Sequence, residues 1–111
     1  MFKNEQIVID SNNFYKVVLK SEIPVMVEVS ARWSGGTHII KPILYRIIDK
    51  YSGLMKFCNM NYDNNKNRVQ QFGVTKLPAI LIFINGQLED VIIGAISYKE
   101  LEEKVKTILL I

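Results

Sequence analysis

Ala79 to Ile84 is apolar at every position, with Pro78 in front of it and Asn85-Gly86 behind it. A run of this length suits a strand, and a strand that is apolar on both faces needs a covering layer on each side of its sheet. Asn85-Gly86 is a hairpin signal, because both residues tolerate positive φ, so Leu88 to Ile93 is expected to return antiparallel beside it. The chain is thereby committed to a layered architecture around a central sheet.

The remaining segments supply the layers in alternation. Ile7-Val8-Ile9 reads as a short first strand, and Asp10 then caps a helix whose Phe14, Val17 and Val18 recur at helical spacing. Pro24 stops that helix, and Val25 to Ser30 reads as a buried strand. Ile39, Ile40, Ile43, Leu44, Ile47, Ile48 and Tyr51 form a broad apolar stripe at helical spacing. Pro42 lies inside this helix, where it removes a hydrogen bond to the His38 carbonyl and is expected to kink the axis. Gly53 ends the helix, Leu54 to Met60 makes a third strand, and a short helix over Asn67 to Phe72 stops at Gly73. Ser97 with Glu100 opens a last helix as a capping box, with Leu101, Val105, Ile108 and Leu109 turned inward and Glu102 on its outer face. The expectation is an α/β fold, a mixed sheet of about five strands with helices on both faces. With 111 residues the chain has room for a single domain, 1–111.

Composition limits the function. The net charge of +3 is spread thinly from Lys3 to Lys106 and interleaved with acids, which is not the clustered basic face that a nucleic-acid partner needs. No stretch approaches the roughly 20 apolar residues that span a bilayer, and Met1 to Glu5 is not followed by the apolar run of a secretory signal. Cys58 is the only cysteine, so no internal disulfide forms, and the cytoplasm is the expected location. One Cys and one His without further clustered ligands make no metal site, and no cofactor is expected.

Five separate signatures, in order, resemble the thioredoxin family. Trp33-Ser34-Gly35-Gly36-Thr37 resembles its active-site segment, usually Trp-Cys-Gly-Pro-Cys, and Pro42 stands at the kink position of the following helix. Leu77-Pro78 resembles the step that carries the family's cis proline, Phe83-Ile84-Asn85-Gly86 its hairpin, and Ile93-Gly94-Ala95 its glycine loop. The resemblance runs from Ile7 to Leu110 and implies the thioredoxin fold. It also implies that Ser34 and Thr37 replace both cysteines of a dithiol couple. Hydroxyl oxygens cannot form a mixed disulfide, so the family's usual chemistry is expected to be absent.

Each residue of this segment also has a structural reading. Ser34 is suited to cap the helix through a backbone N–H, a contribution of about 1 kcal/mol. Ser34 and His38 share a helix face, but a hydrolase would further need an orienting acid. Gly36 replaces the family's proline, either because no sulfur couple is left to tune or because a partner's backbone approaches there. Glu28 takes the place of the family's interior acid, and Asn59 that of its nearby lysine, which removes the expected cation. Cys58 reads as a small buried hydrophobe rather than a reactive thiol.

By the resemblance, an extended client segment lies across Trp33, Gly35, Gly36, Leu77, Pro78, Ile93, Gly94 and Ala95, all apolar or small. The expected function is a non-catalytic binding or adaptor domain whose partner is a protein or extended peptide. The alternative is a divergent thiol-disulfide oxidoreductase acting through Cys58 or a partner's cysteine. Nothing in the sequence sets an oligomeric state.

Overall fold

A computed structural model describes residues 5–111. Five strands, β1 (Ile7–Ile9), β2 (Val25–Ser30), β3 (Lys56–Asn61), β4 (Ala79–Ile84) and β5 (Gln87–Ile93), form one sheet in the order β1-β3-β2-β4-β5. The first three are mutually parallel, and β4 and β5 run antiparallel. Helices α1 (Gly35–Tyr51) and α3 (Tyr98–Leu109) cover one face. The other face is covered by α2 (Lys66–Gln71) and a single π-helical turn, Tyr15–Leu19.

Strand alternation divides the core in two. Val25, Val27 and Val29 of β2 turn toward Phe14, Val18 and Val69, together with Cys58, Met60, Leu81 and Phe83. Met26 turns the other way and packs with Ile80, Ile82 and the buried side of α1 and α3. Glu28 lies two residues after Met26 and therefore faces α1, a placement with consequences for its charge.

The expected elements differ from the observed ones where local geometry overrides the pattern. The first helix is reduced to the π-helical turn closed by Lys20 N–H donating to the Tyr15 carbonyl. Asp10 does not cap it. Its carboxylate accepts from the Asn12 N–H in a tight turn, and its carbonyl accepts from Phe14. Strand β3 begins at Lys56 rather than Leu54, because the N–H groups of Leu54 and Met55 are both spent on the Tyr51 carbonyl at the helix end. Helix α1 runs as one element from Gly35 to Tyr51 through Pro42, whose ring is exposed.

Glu102 is not the outer-face bystander that its helical position suggests. Its carboxylate accepts from Tyr51 Oη at 2.7 Å and Tyr98 Oη at 3.2 Å, and pairs with Lys50 at 2.6 Å. These contacts tie α3 to the last turn of α1. The Lys50 ammonium and the two phenols hold the Glu102 carboxyl well below its usual range, at about 2. Arg46 adds a second link by lying over the Tyr98 ring, 3.8 Å from its centre.

Asn85 and Gly86 both adopt positive φ, 51° and 78°, as the tight turn between β4 and β5 requires. The tip of this hairpin is not free. A Cβ on Gly86 would stand 2.6 Å from the Leu19 carbonyl oxygen, so the turn is seated against the end of the π-helical segment.

Candidate functional site

The turn that launches α1 from β2 is held by its own hydroxyls. Ser34, in extended conformation, is the N-cap, and its Oγ accepts from the Thr37 N–H at 3.3 Å. Thr37 Oγ1 in turn accepts from the Ala31 N–H at 3.4 Å. Both side chains are buried, so the two hydroxyls are engaged inward as local ties. His38 is exposed, and one ring nitrogen donates to the Arg32 carbonyl at 3.0 Å. Among the described residues no hydrogen bond joins His38 to Ser34, and a hydrolytic pair is not assembled.

Gly36 faces the chain itself. A Cβ there would stand 2.4 Å from Pro78 Cδ, so the reason for glycine is the close approach of the chain's own Pro78 rather than a partner's backbone. The Leu77–Pro78 peptide bond is cis. The Pro78 carbonyl accepts from the Gly94 N–H at 2.8 Å, which fixes the loop after β5 beside it. Pro78 is buried under this arrangement, whereas Gly35 and Ala95 are exposed and Gly36, Leu77, Ile93 and Gly94 are half-buried.

Two hollows border the Leu77–Pro78 step, one at each residue. On one side Trp33, Tyr62, Val74, Thr75, Lys76 and Leu77 line a cavity of about 310 Å³. On the other a shallow dimple of about 50 Å³ is lined by Gly36, Ile39, Ile40, Ile43, Pro78, Ala95 and Ile96. The structure thus brings Trp33 together with Leu77, and Gly36 with Pro78 and Ala95, while Ile93 lies in the last position of β5 opposite Ala79. Trp33 stands 65% exposed, steadied by its indole N–H, which donates to the Asp63 carboxylate at 3.0 Å, and by the edge of the Tyr62 ring. Among the described residues, no hydrogen bond uses the backbone of Thr75, Lys76 or Leu77, which bends past the cavity as an unpaired edge before β4.

Below the turn, Glu28 is not left without a cation. Lys41, in the second turn of α1, reaches its Oε1 at 2.7 Å, and Asn59 and Gln6 donate to the same oxygen at 3.1 and 3.0 Å. Asn59 also donates to Ser30 Oγ at 2.9 Å. Asn59 brings no charge to this position, and the cation arrives from the helix that covers the same face of the sheet. Glu28 Oε2 is buried and has no hydrogen-bond partner among the described residues.

Cys58 is fully buried among the valines of β2, and burial pushes its thiol up to about 12. Almost no thiolate exists there near neutral pH. Among the described residues no three His, Cys, Asp or Glu side chains gather into a metal-ligand set, and no helix is long and apolar enough to cross a membrane.

Several residues at this surface escaped the sequence reading. Ile39 belongs to the apolar stripe of α1, yet it is 70% exposed, and with Ile43 it forms the outer edge of the dimple. The stripe was the available signal: Ile40, Leu44, Ile47, Ile48 and Tyr51 suffice to bury one helix face, so Ile39 was surplus. Tyr62, Val74 and Lys76 are distant from Trp33 in sequence and carried no motif.

The thioredoxin family model matches residues 5–107. "Thioredoxin M-type, chloroplastic" of Pisum sativum is 34% identical over 103 residues, 93% of this chain and 60% of that protein. "Thioredoxin" of Synechocystis sp. is 36% identical over 84 residues, covering 76% of this chain and 78% of its own. "Thioredoxin 1" of Nostoc sp. is 30% identical over 98 residues, with coverages of 88% and 92%. Against three plant relatives the chain spans only 48% to 60% of their length.

Proposed function

This chain belongs to the thioredoxin family, and from that membership we propose that it is a binding module that holds an extended protein segment without exchanging disulfides. The observation that carries the reading is the unpaired backbone edge at Thr75–Leu77, set against an aromatic cavity and next to a turn that holds no sulfur. An extended segment laid along that edge would gain main-chain hydrogen bonds, and an apolar side chain would fill the cavity beside Trp33. The dimple formed by Gly36, Ile39 and Ala95 would take a second side chain beyond Pro78.

Thiol exchange through Cys58 has less support. Attack requires a thiolate with access to a disulfide, and this sulfur is buried with its pKa pushed to about 12. A chain that folds without a disulfide suits a reducing compartment, and we place its work in the cytoplasm.

The test is disulfide reduction of insulin with dithiothreitol as electron donor. The unmodified protein is expected to give no turnover above the reagent alone. Ser34→Cys combined with Thr37→Cys should give measurable turnover, because each sulfur then sits where a hydroxyl now ties the turn. Turnover by the unmodified chain comparable to that of the two-cysteine variant would overturn the reading.

A further inference from the structure

The proposed binding edge has an electrical sign. Among the described residues the ion pairs are Lys41 with Glu28, Lys50 with Glu102 and Lys104 with Asp90. None of them involves Arg32, Lys66, Arg68 or Lys76, of which Arg68 lies over the Phe14 ring, 4.3 Å from its centre. Arg32 precedes Trp33 and is exposed, and Lys76, also exposed, lines the wall of the Trp33 cavity. Across the Trp33–Asp63 hydrogen bond, Lys66 and Arg68 line an adjoining polar hollow of about 590 Å³ whose remaining lining is mostly Ser, Asn and Gln side chains. Among the described residues that line the cavity and the hollow, Asp63 is the one acid, and its carboxylate already receives the indole N–H.

The acids gather elsewhere. Glu89, Asp90, Glu100 and Glu103 line the cleft between β5 and α3, which shares no residue with the cavity or the polar hollow. That cleft also holds Lys104, which pairs with Asp90, so its charges are partly matched where those near Trp33 are not. Among the described residues, Arg32, Lys66, Arg68 and Lys76 take part in no ion pair with a carboxylate.

We propose that the segment taken by this edge is acidic: an extended stretch of a partner protein with an apolar side chain for the Trp33 cavity and Asp or Glu residues beside it for Lys76, Arg32 and the Lys66–Arg68 hollow. This rests on the binding reading above and gives it a partner class. Unpaired surface cations attract an oppositely charged segment from a distance and penalise a basic one, so the charges select among segments that the apolar cavity accepts equally. A flat, dense basic face would favour a nucleic-acid backbone. Here one cation, Lys76, lines a mostly apolar cavity and two more line a separate polar hollow, an arrangement that favours a protein segment.

Trp33 is the only tryptophan, so its fluorescence reports directly on the cavity. The probes are three synthetic peptides with the same central leucine, flanked by glutamates, by glutamines or by lysines, and a short oligothymidylate as a non-peptide polyanion. The glutamate peptide is expected to bind at least about tenfold more tightly than the glutamine peptide near 0.05 M salt, with the advantage shrinking toward 0.5 M as charges are screened. Lys76→Glu and Arg32→Glu, each checked for native circular dichroism, should abolish that advantage, and the double variant should turn preference toward the lysine peptide. Lys106→Glu, an exposed change on α3, should leave it in place. Equal, salt-independent binding of glutamate and glutamine peptides would overturn the acidic preference while sustaining the binding reading. No response to any peptide would overturn both. Oligothymidylate binding as tight as the glutamate peptide, or self-association of the protein, would also overturn the proposal, since the surface would then serve a different occupant.

Discussion

Gly35 and Gly36 are sequence neighbours with opposite surroundings. Nothing lies within 4 Å of a Cβ built on Gly35, whereas one on Gly36 meets the Pro78 ring at 2.4 Å. Gly35→Ala should raise stability by up to about 1 kcal/mol, the usual gain of replacing glycine in a helical turn. Gly36→Ala should cost about 1–3 kcal/mol, because a rigid ring must give way. Urea denaturation of the two variants checks the contrast, and equal midpoints would refute the close approach. The Glu28–Lys41 pair gives a second test at this scale. Lys41→Met should cost about 2 kcal/mol, less than a fully buried pair because Lys41 keeps 26% of its side chain in solvent. Adding Glu28→Gln should recover most of that loss, since no buried charge then lacks a partner. A double variant as unstable as Lys41→Met alone would show that the pair is not what the lysine supports. The sequence pointed to Glu28 as an interior acid but not to its cation, because Lys41 meets β2 only through the packing of α1 on the sheet.

Between elements, Glu102 joins α3 to α1 through Lys50, Tyr51 and Tyr98. Its folded carboxyl sits at about 2 against an ordinary value of 4.5, so the stabilisation it provides is complete above the ordinary value and is lost as the pH falls toward 2. Glu102→Gln should therefore lower the melting temperature at pH 7, and the gap from the unmodified protein should narrow steadily from about pH 4.5 to about pH 2. Glu103→Gln, on the exposed side of the same helix, should show no such pH-dependent gap. A constant gap for Glu102→Gln across this range would refute the link. The capping box at Ser97 and Glu100 was legible from spacing alone, since both partners lie in one helical turn. The Glu102 link was not, because the pattern of α3 by itself places that residue away from Leu101 and Val105 and says nothing of which helix lies alongside.

Across the whole molecule, the alternation of strands and helices, the all-apolar Ala79–Ile84 strand and the Asn85-Gly86 turn were enough to foresee a mixed sheet covered on both faces. Element ends moved where a carbonyl took an extra donor, as Tyr51 does before β3, and no composition pattern reports that. The site was legible at Trp33, Ser34, Thr37 and Leu77-Pro78, whose order along the chain is distinctive. Its second wall, Tyr62, Val74 and Lys76, is built by loops that converge only after folding. The seating of the Gly86 turn on Leu19 also decides where the chain can be opened. A short flexible peptide spliced between Asn85 and Gly86 should unfold the protein or sharply lower its yield, because the tip has no room against the Leu19 carbonyl. The same splice after Gly53, whose turn faces open space, should leave a cooperative melt close to that of the parent. Equal tolerance at both sites would refute the seating. New termini, labels and fused domains therefore belong at the Gly53 corner, and the hairpin, despite looking like the most replaceable loop in the sequence, is the joint to leave intact.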